Sequence, residues 1–160
     1  MANDSLSGVV TAIELYKEII KIKDSKYNYR FLFAPETIGT ICFLNNNKDN
    51  LKESIEYGIV ATCLGDKGSF TFKKSRKPNS SLNKIVEYVF MKENIHENIL
   101  DFSPLGSDER QYCSPGFDLP VGVLTRSMYG EFPEYHSSAD NLNFVSEESL
   151  KESLELFLEI

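Results

Sequence analysis

The stretch YGIVATCLGDKGSFTFKKSRKPNSSLNKIVEYVFMKEN, residues 57–94, decides the predicted fold class. Residues 57–64 are rich in β-branched and apolar side chains and predict a strand, which a Gly-Asp-Lys-Gly turn ends. Residues 69–73 predict a second strand that reverses on the first in the manner of a hairpin. After a Pro-Asn-Ser-Ser break, Ser81 is predicted to cap a helix over 82–94. Strands and helices thus follow one another within a short span.

The rest of the chain continues this alternation. Helices are predicted over 5–22, 36–44, 51–56 and 147–158, the last capped by Ser146, and strands over 29–34, 99–102 and 119–124. The alternation predicts an α/β domain in which helices pack on a mostly parallel sheet. In such sheets functional sites gather at the carboxyl ends of the strands. A chain of 160 residues without a repeat or linker predicts one domain.

Composition and charge disfavour several function classes. Hydrophobic residues make up 41% and charged residues 26%, which is typical of a globular chain. The net charge of −7 argues against a nucleic-acid partner, which needs a basic field. The one basic cluster, residues 73–77, is interpreted as a solvated loop, with contact to an acidic ligand as the alternative. The apolar runs are too short to span a bilayer, and Met1 is followed by no signal segment, so no membrane partner and a cytoplasmic location are expected.

Two carboxylates stand at positions that suit chemistry. Asp4 precedes a small-residue stretch that opens a helix, so it is either a helix N-cap or a functional carboxylate. Glu36 lies between Pro35 and Thr37, just after the predicted strand over 29–34, where a carboxylate is well placed as a general base. A glutamate in a first helical turn is also common on structural grounds.

The two histidines differ in context. His96 lies in an ordinary polar helix end and is interpreted as structural or solvent-facing. His136 is flanked by an aromatic residue, two serines and an Asp-Asn pair, all of which can orient an imidazole ring. It is therefore a candidate metal ligand, with a structural histidine as the alternative.

The segment over 106–116 is dense in recognition groups. Arg110 could pair with a carboxylate, and Asp108 or Glu109 could hold an amine; a surface loop with internal salt bridges is the alternative. The three cysteines form no C-x-x-C pair and are expected to be buried thiols. Cys113 alone sits among polar and turn residues, but no local signature supports a thiol nucleophile paired with His136.

Four motifs together resemble a known family. In chain order they are MANDSLSG at 1–8, FAPETIG at 33–39, GSDERQYCSPG at 106–116 and YHSSADN at 135–141. They resemble the DUF4910 family of aminopeptidase-like proteins, related to the M28 zinc peptidases, and the resemblance covers nearly the whole chain. It implies a three-layer α/β fold, a mostly parallel twisted sheet with helices on both faces.

The resemblance also implies residue roles. Asp4 is similar to the carboxylate that bridges metals in M28 peptidases, His136 to the late histidine ligand, and Glu36 to the general base. Zinc is the implied cofactor, because it activates water for attack on an amide. The segment Asp108, Glu109 and Arg110, with Tyr135, would bind a peptide or aminoacyl small-molecule substrate.

Three departures from the family pattern qualify these roles. The chain begins after the segment that carries the family's upstream histidine ligand. Thr37 stands where M28 peptidases have a second glutamate, and the next acidic ligand falls near Thr62, with Asp66 out of register. The family's downstream region, similar to a winged helix, is also absent. One zinc ion is therefore expected rather than two, and it could be missing altogether.

The sequence thus predicts residues 1–160 to be a truncated, aminopeptidase-like catalytic-domain core that removes N-terminal amino acids by metal-activated water. The alternative is a non-catalytic remnant or binding module that keeps the fold without a competent metal site. Whether this chain is an active enzyme stays open. Loss of strands beside the 29–34 strand would leave an apolar sheet edge, which predicts self-association.

Overall fold

The computed structural model describes residues 1–95 and 98–160. The elements in chain order are a distorted π-helical turn (Ala2–Ser7), α1 (Gly8–Ile19), α2 (Ile38–Asn47), α3 (Leu51–Ser54), β1 (Gly58–Ala61), β2 (Thr71–Lys73), α4 (Ser81–Lys92), β3 (Ile99–Leu100), α5 (Glu109–Tyr112), β4 (Val121–Thr125) and α6 (Glu147–Glu159). The four strands form one mixed, mostly parallel sheet with helices, so the predicted α/β class is confirmed. Within the described part of the chain, no helix combines the length and the apolar character needed to cross a membrane.

The sheet has the strand order β1-β4-β2-β3. β2 and β3 pair in parallel, with Phe72 opposite Ile99 and Lys73 opposite Leu100. The predicted hairpin-like pairing of the strands over 57–64 and 69–73 is wrong, because β4 lies between β1 and β2. All five residues of β4 are buried, as expected for a strand in the middle of a parallel sheet.

The strand predicted over 29–34 is also wrong. This segment has no regular secondary structure and pairs with none of the described strands, and all of its residues except Phe31 are exposed. The Phe31 ring packs edge-to-face on the Tyr16 ring of α1, with 5.7 Å between centroids. An apolar run forms a strand only where a neighbouring strand accepts its backbone hydrogen bonds, so composition alone misled the prediction.

Two predicted helix starts have different outcomes. α6 begins as predicted, with the Ser146 hydroxyl accepting a hydrogen bond from the Ser149 N–H at 3.1 Å. α4 is capped by Ser80 rather than Ser81, because the Ser80 hydroxyl accepts the Asn83 N–H at 3.2 Å. A capping side chain must come from an extended residue just before the first turn, and Ser80 has that conformation.

The described chain divides into two compact units. The first unit comprises Met1–Phe33, Ala61–Ser69 and Thr125–Ile160; the second comprises Ala34–Val60 and Phe70–Leu124. The sequence-based expectation of one domain over 1–160 stays a prediction.

In the first unit α1 packs against α6. Gly8, the first residue of α1, packs closely on the backbone at Ala61, since a Cβ atom there would lie 2.1 Å from the Ala61 carbonyl oxygen. Buried Arg126 ties α6 to the preceding loops: its guanidinium donates to the Gly68 carbonyl at 2.9 Å and to the Glu152 carboxylate at 2.8 Å. Arg126 thus links the loop at Gly68 to α6.

The second unit has its own apolar core. The core comprises the buried side chains Leu44, Leu51, Leu119 and Val121, with Phe43, Ile55, Val60, Tyr112 and Phe117 packed around them. Gly122 in β4 allows the Phe72 ring to approach, since a Cβ atom at that position would lie 2.6 Å from the ring. This core fixes the strands and the loop that carries α5.

Candidate functional site

Asp4 and His136 meet in the first unit, although 132 positions separate them in the sequence. The His136 Nε2 lies 3.1 Å from the Asp4 Oδ2. The Asp4 side chain is 22% exposed and the His136 side chain 68% exposed, so the pair is open to a ligand from solvent. The structure therefore brings together the two residues predicted as metal ligands.

Asp4 is held by its backbone. It lies inside the Ala2–Ser7 turn with φ −102° and ψ 97°, outside the helical region, so it is not a simple helix cap. Its N–H donates to the Asp140 carboxylate at 3.0 Å, and the Asn3 N–H donates to the same group at 2.6 Å. The Asp4 carboxylate is thus free of the N-cap role that the sequence left open.

His136 is oriented by aromatic stacking. Its ring lies 3.9 Å from the Tyr135 ring at an interplanar angle of 15°. Tyr135 packs edge-to-face on Phe132, which stacks on Phe144 with 5.3 Å between centroids. Tyr135, predicted to bind substrate, therefore contacts the candidate ligand itself; its role toward a substrate stays a prediction.

The surroundings of the pair are polar and acidic. The Thr62 hydroxyl approaches the other Asp4 oxygen at 3.5 Å. Asp66 is buried and accepts hydrogen bonds from Asn3 Nδ2 and the Ser127 hydroxyl, so its oxygens are committed to the protein. This agrees with the expectation that Asp66 is out of register for a ligand.

Two pKa shifts reflect this environment. Burial, aided by the charges of Asp4 and the nearby aspartates, raises the pKa of the Cys63 thiol to about 12. Burial acts to raise the pKa of Asp140 as well, but the hydrogen bonds from the Asn3 and Asp4 N–H groups and the terminal amine outweigh it and lower the pKa. Cys63 therefore stays a neutral thiol beside the pair, and Asp140 stays a carboxylate.

The Asp4 and His136 side chains fit two ligands of a zinc ion. Zinc binds histidine nitrogen and carboxylate oxygen at about 2.0–2.2 Å, which places two tetrahedral ligand atoms about 3.3 Å apart. The observed 3.1 Å is close to that spacing. No group of three or more His, Cys, Asp or Glu side chains suited to a metal occurs within residues 1–95 and 98–160. The described residues thus supply two ligands, one fewer than catalytic zinc normally has.

Glu36 lies in the second unit, just before α2. It is exposed, and its Oε1 accepts a hydrogen bond from the Ser107 hydroxyl at 2.9 Å. The next residue, Thr37, has φ 63°, which is rare for a β-branched residue. The Asp108 carboxylate accepts the Thr37 N–H at 2.7 Å, and Arg110 donates to the Thr37 hydroxyl at 3.4 Å. The segment predicted to bind substrate therefore holds the Glu36–Thr37 turn.

Glu109 does not fit the predicted substrate-binding role. Its side chain is fully buried and pairs with the Lys73 ammonium at 2.6 Å. Lys73, whose side chain is 5% exposed, also donates to the Leu105 carbonyl. The basic cluster at 73–77 is thus not wholly solvated, since its first lysine is internal. Sequence could not reveal this burial, because an alternating strand pattern does not say which face is covered.

The remaining candidates also differ from expectation. Cys113 is buried and its pKa is raised, mainly by burial, which does not suit a nucleophile. Cys63 is buried as expected, whereas Cys42 is exposed. His96, interpreted as structural, lies outside the described residues. Sequence reasoning undervalues Asp140, since its motif predicts a role in orienting the His136 ring, whereas its carboxylate accepts the backbone N–H groups of Asn3 and Asp4.

The family described as a domain of unknown function (DUF4910) matches residues 1–160. The chain belongs to the DUF4910 family. The resemblance inferred from the four motifs is therefore confirmed.

Relatives of this DUF4910 chain are longer than it is. A Clostridium acetobutylicum protein, named for polysaccharide biosynthesis and an aminopeptidase-like domain, is 49% identical over 100% of this chain and 36% of its own length. A crystal structure from the same species, described as that of a peptidase, is 48% identical with a TM-score of 0.94, over 99% of this chain and 37% of that one. The chain thus spans about a third of both relatives.

A more distant structure shares the fold. The M28 peptidase precursor of Shewanella amazonensis SB2B is 14% identical, with a TM-score of 0.67 over 98% of this chain and 36% of its own. The predicted relation to M28 peptidases is confirmed at the level of the fold.

Proposed function

We propose that this chain contributes two metal ligands, Asp4 and His136, and the general base of a zinc-dependent, aminopeptidase-type hydrolase. These two ligands are called the half-site below. The observation that carries the proposal is the 3.1 Å approach of Asp4 Oδ2 and His136 Nε2. Membership of the DUF4910 family and the peptidase descriptions of its relatives support the reaction class. One zinc ion is proposed rather than two, because the described residues bring two candidate ligands together.

Each residue has a proposed task. Asp4 and His136 would hold the zinc ion, which when bound supplies Lewis-acid activation of water. Glu36 is the proposed general base, and the Ser107 hydroxyl holds its Oε1 in the exposed turn before α2. Asp108 and Arg110 would fix the turn that carries Glu36 and face the amino end of a peptide or aminoacyl substrate.

Zinc binding tests the half-site. Metal-free protein is titrated with Zn²⁺ by calorimetry, alongside Asp4→Asn and His136→Gln. The variants are expected to lose more than about 100-fold in affinity, since even outer-shell changes cost 10–100-fold. Matched controls are Asp24→Asn and Ser138→Ala, two exposed residues of the same unit. Equal affinity in variants and controls would remove the metal site from the proposal.

Hydrolysis of leucine p-nitroanilide tests the reaction class. We expect zinc-dependent release of p-nitroaniline that a chelator abolishes and that acetylation of the substrate amine prevents. Glu36→Gln should abolish release while zinc affinity stays unchanged, since the base does not hold the metal. Ser107→Ala should lower kcat about 10-fold or less, because it loosens the base without removing it.

A binding module is the second candidate function. The observation that favours it is the pair of ligands where catalytic zinc normally has three. Under this alternative the chain keeps the fold without a competent metal site, so it binds no Zn²⁺ in the calorimetric titration and releases no p-nitroaniline at any zinc concentration. The two assays together separate the candidates.

Self-association is the proposed partner interaction, through an apolar groove rather than a sheet edge. The groove has a volume of about 490 Å³, and its lining residues are Ile13, Tyr16, Tyr29, Arg30, Phe31 and Phe33. Tyr16 and Phe33 are 51% and 53% exposed, so a second copy that covered them would bury apolar area. Sedimentation over a concentration series should show a dimer, which Tyr16→Ser weakens; a monomer throughout would reject it.

The proposals for cellular location and for other partners rest on the sequence. We propose a cytoplasmic protein with neither a nucleic-acid nor a membrane partner. Three free cysteines without a disulfide support a reducing compartment. Cell fractionation tests the location.

A further inference from the structure

We infer that Asp140 is the positioning residue of the Asp4–His136 site, fixing the spacing of the two ligands through the backbone rather than through their side chains. The inference rests on the proposed function. Asp140 touches neither the Asp4 carboxylate nor the His136 ring in any described contact, so it is not a catalytic residue.

The Asp140 carboxylate accepts hydrogen bonds from the backbone of the segment that carries Asp4. Its side chain is 1% exposed. Oδ1 accepts the Asn3 N–H at 2.6 Å, and Oδ2 accepts the Asp4 N–H at 3.0 Å and lies 2.7 Å from the amino group of Met1. The Asp140 carbonyl also accepts the Ala2 N–H at 3.3 Å. One residue therefore binds the backbone at every position from 1 to 4.

A tight loop links Asp140 to His136, four positions earlier. The Asp140 N–H donates to the Ser137 carbonyl at 3.2 Å, and the Ala139 N–H donates to the Ser137 hydroxyl at 3.2 Å. Asp140, which binds the backbone of residues 1–4, is called the anchor below. These hydrogen bonds restrict the loop between His136 and the anchor. Because Asp140 ends this loop and binds the Asp4 backbone, its position sets the distance between Asp4 and His136.

The neighbouring buried aspartate lacks this role. Asp66 accepts a hydrogen bond from the side chain of Asn3, but its other partners are Gly68 and Ser127. It supports the loops of the unit without binding the Asp4 N–H. An anionic acceptor between two N–H groups makes strong, charge-assisted hydrogen bonds. Asp140 therefore holds the Asn3 and Asp4 backbone more strongly than a neutral residue would.

Amide hydrogen exchange tests the anchor without any metal. In the parent protein the Asn3 and Asp4 amides should exchange slowly. Asp140→Ala should speed their exchange about tenfold or more, and Asp140→Asn, which keeps one acceptor oxygen, should have a smaller effect. The control is Ser146→Ala, which removes the α6 cap in the same unit and should leave these two amides unchanged.

Zinc affinity tests whether Asp140 sets the spacing of the two metal ligands. Asp140→Ala should weaken Zn²⁺ binding about 10–100-fold, the range for residues that orient metal ligands. Ser146→Ala should stay within about twofold of the parent protein. If Asp140→Ala binds zinc as the parent does, or if both variants lose affinity equally, the positioning role is refuted.

The two measurements separate this inference from the proposed function. If the parent binds no zinc but its Asn3 and Asp4 amides lose protection only in Asp140→Ala, the anchor stands and the zinc proposal fails. If those amides are unprotected in the parent, or remain protected in Asp140→Ala, the anchor fails whatever zinc does. Should Asp140→Ala not fold, Asp140→Asn carries both readouts.

Discussion

Replacing Glu109 with glutamine would isolate a buried positive charge in the second unit. Glu109 is fully buried, and the Lys73 ammonium 2.6 Å away is 95% buried, since its side chain is 5% exposed. Glutamine keeps the shape of the side chain and removes its charge. Lys73 would then retain the Leu105 carbonyl and a contact 5.8 Å from the Phe102 ring centre, but no counter-ion within residues 1–95 and 98–160.

The expected cost is large because the remaining charge cannot reach water. Removing one partner of a buried ion pair destabilises proteins by about 3–5 kcal/mol. The adjacent pair of Lys74 and Glu87 has exposed fractions of 25% and 43%, so Glu87→Gln should cost less than about 1 kcal/mol. The two substitutions are chemically identical and differ in burial.

Urea unfolding followed by circular dichroism measures both costs. With a slope of about 2 kcal/mol per molar urea, Glu109→Gln should lower the midpoint by about 2 M and Glu87→Gln by less than about 0.5 M. The double variant Lys73→Met with Glu109→Gln should regain much of the lost stability, because no buried charge remains. It also serves if the single variant does not fold.

Two results would refute this reasoning. One is a Glu109→Gln midpoint no lower than that of Glu87→Gln. The other is a double variant whose midpoint is no higher than that of Glu109→Gln, which would mean that removing the Lys73 charge restores nothing and that the pair is not coupled. Either result would mean that Lys73 and Glu109 do not act as a coupled buried ion pair.

Three further outcomes test other parts of the structure. Because burial raises the pKa of Cys63 to about 12, the folded thiol keeps its proton between pH 9 and 12, whereas the unfolded thiol loses it. The free energy of unfolding should therefore fall as the pH rises above about 9, by up to ~1.4 kcal/mol per pH unit. In urea titrations at several pH values, Cys63→Ala should flatten this dependence on pH, and equal slopes in the variant and the parent would contradict the prediction. Gly122→Ala should cost about 1–3 kcal/mol in thermal unfolding, since its methyl group would meet the Phe72 ring at 2.6 Å; an unchanged midpoint would count against that contact. Ser80→Ala should cost about 1 kcal/mol and Ser81→Ala less than about 0.5 kcal/mol in the same assay, and the reverse order would restore Ser81 as the cap of α4.

Sequence patterns predicted the candidate metal ligands better than they predicted the contacts of the residues around them. The motifs around Asp4 and His136 predicted two residues that the structure places 3.1 Å apart. The same motifs suggested substrate contacts for Glu109, which is internal, and contact with the His136 ring for Asp140, whose carboxylate instead binds the backbone of Asn3 and Asp4. A motif records which residue types occur together, whereas burial depends on the segments that pack over them.

The sequence by itself determined the α/β class, the order of most elements and the candidate ligands. These follow from local spacing, capping residues and four short motifs, all of which a chain carries before it folds. Only the tertiary structure decided that β4 separates β1 from β2, that residues 29–34 form no strand among the described residues, and that Glu109 is buried. Strand pairing and burial arise from contacts between residues far apart in the chain, and a local pattern contains no information about which distant segment arrives.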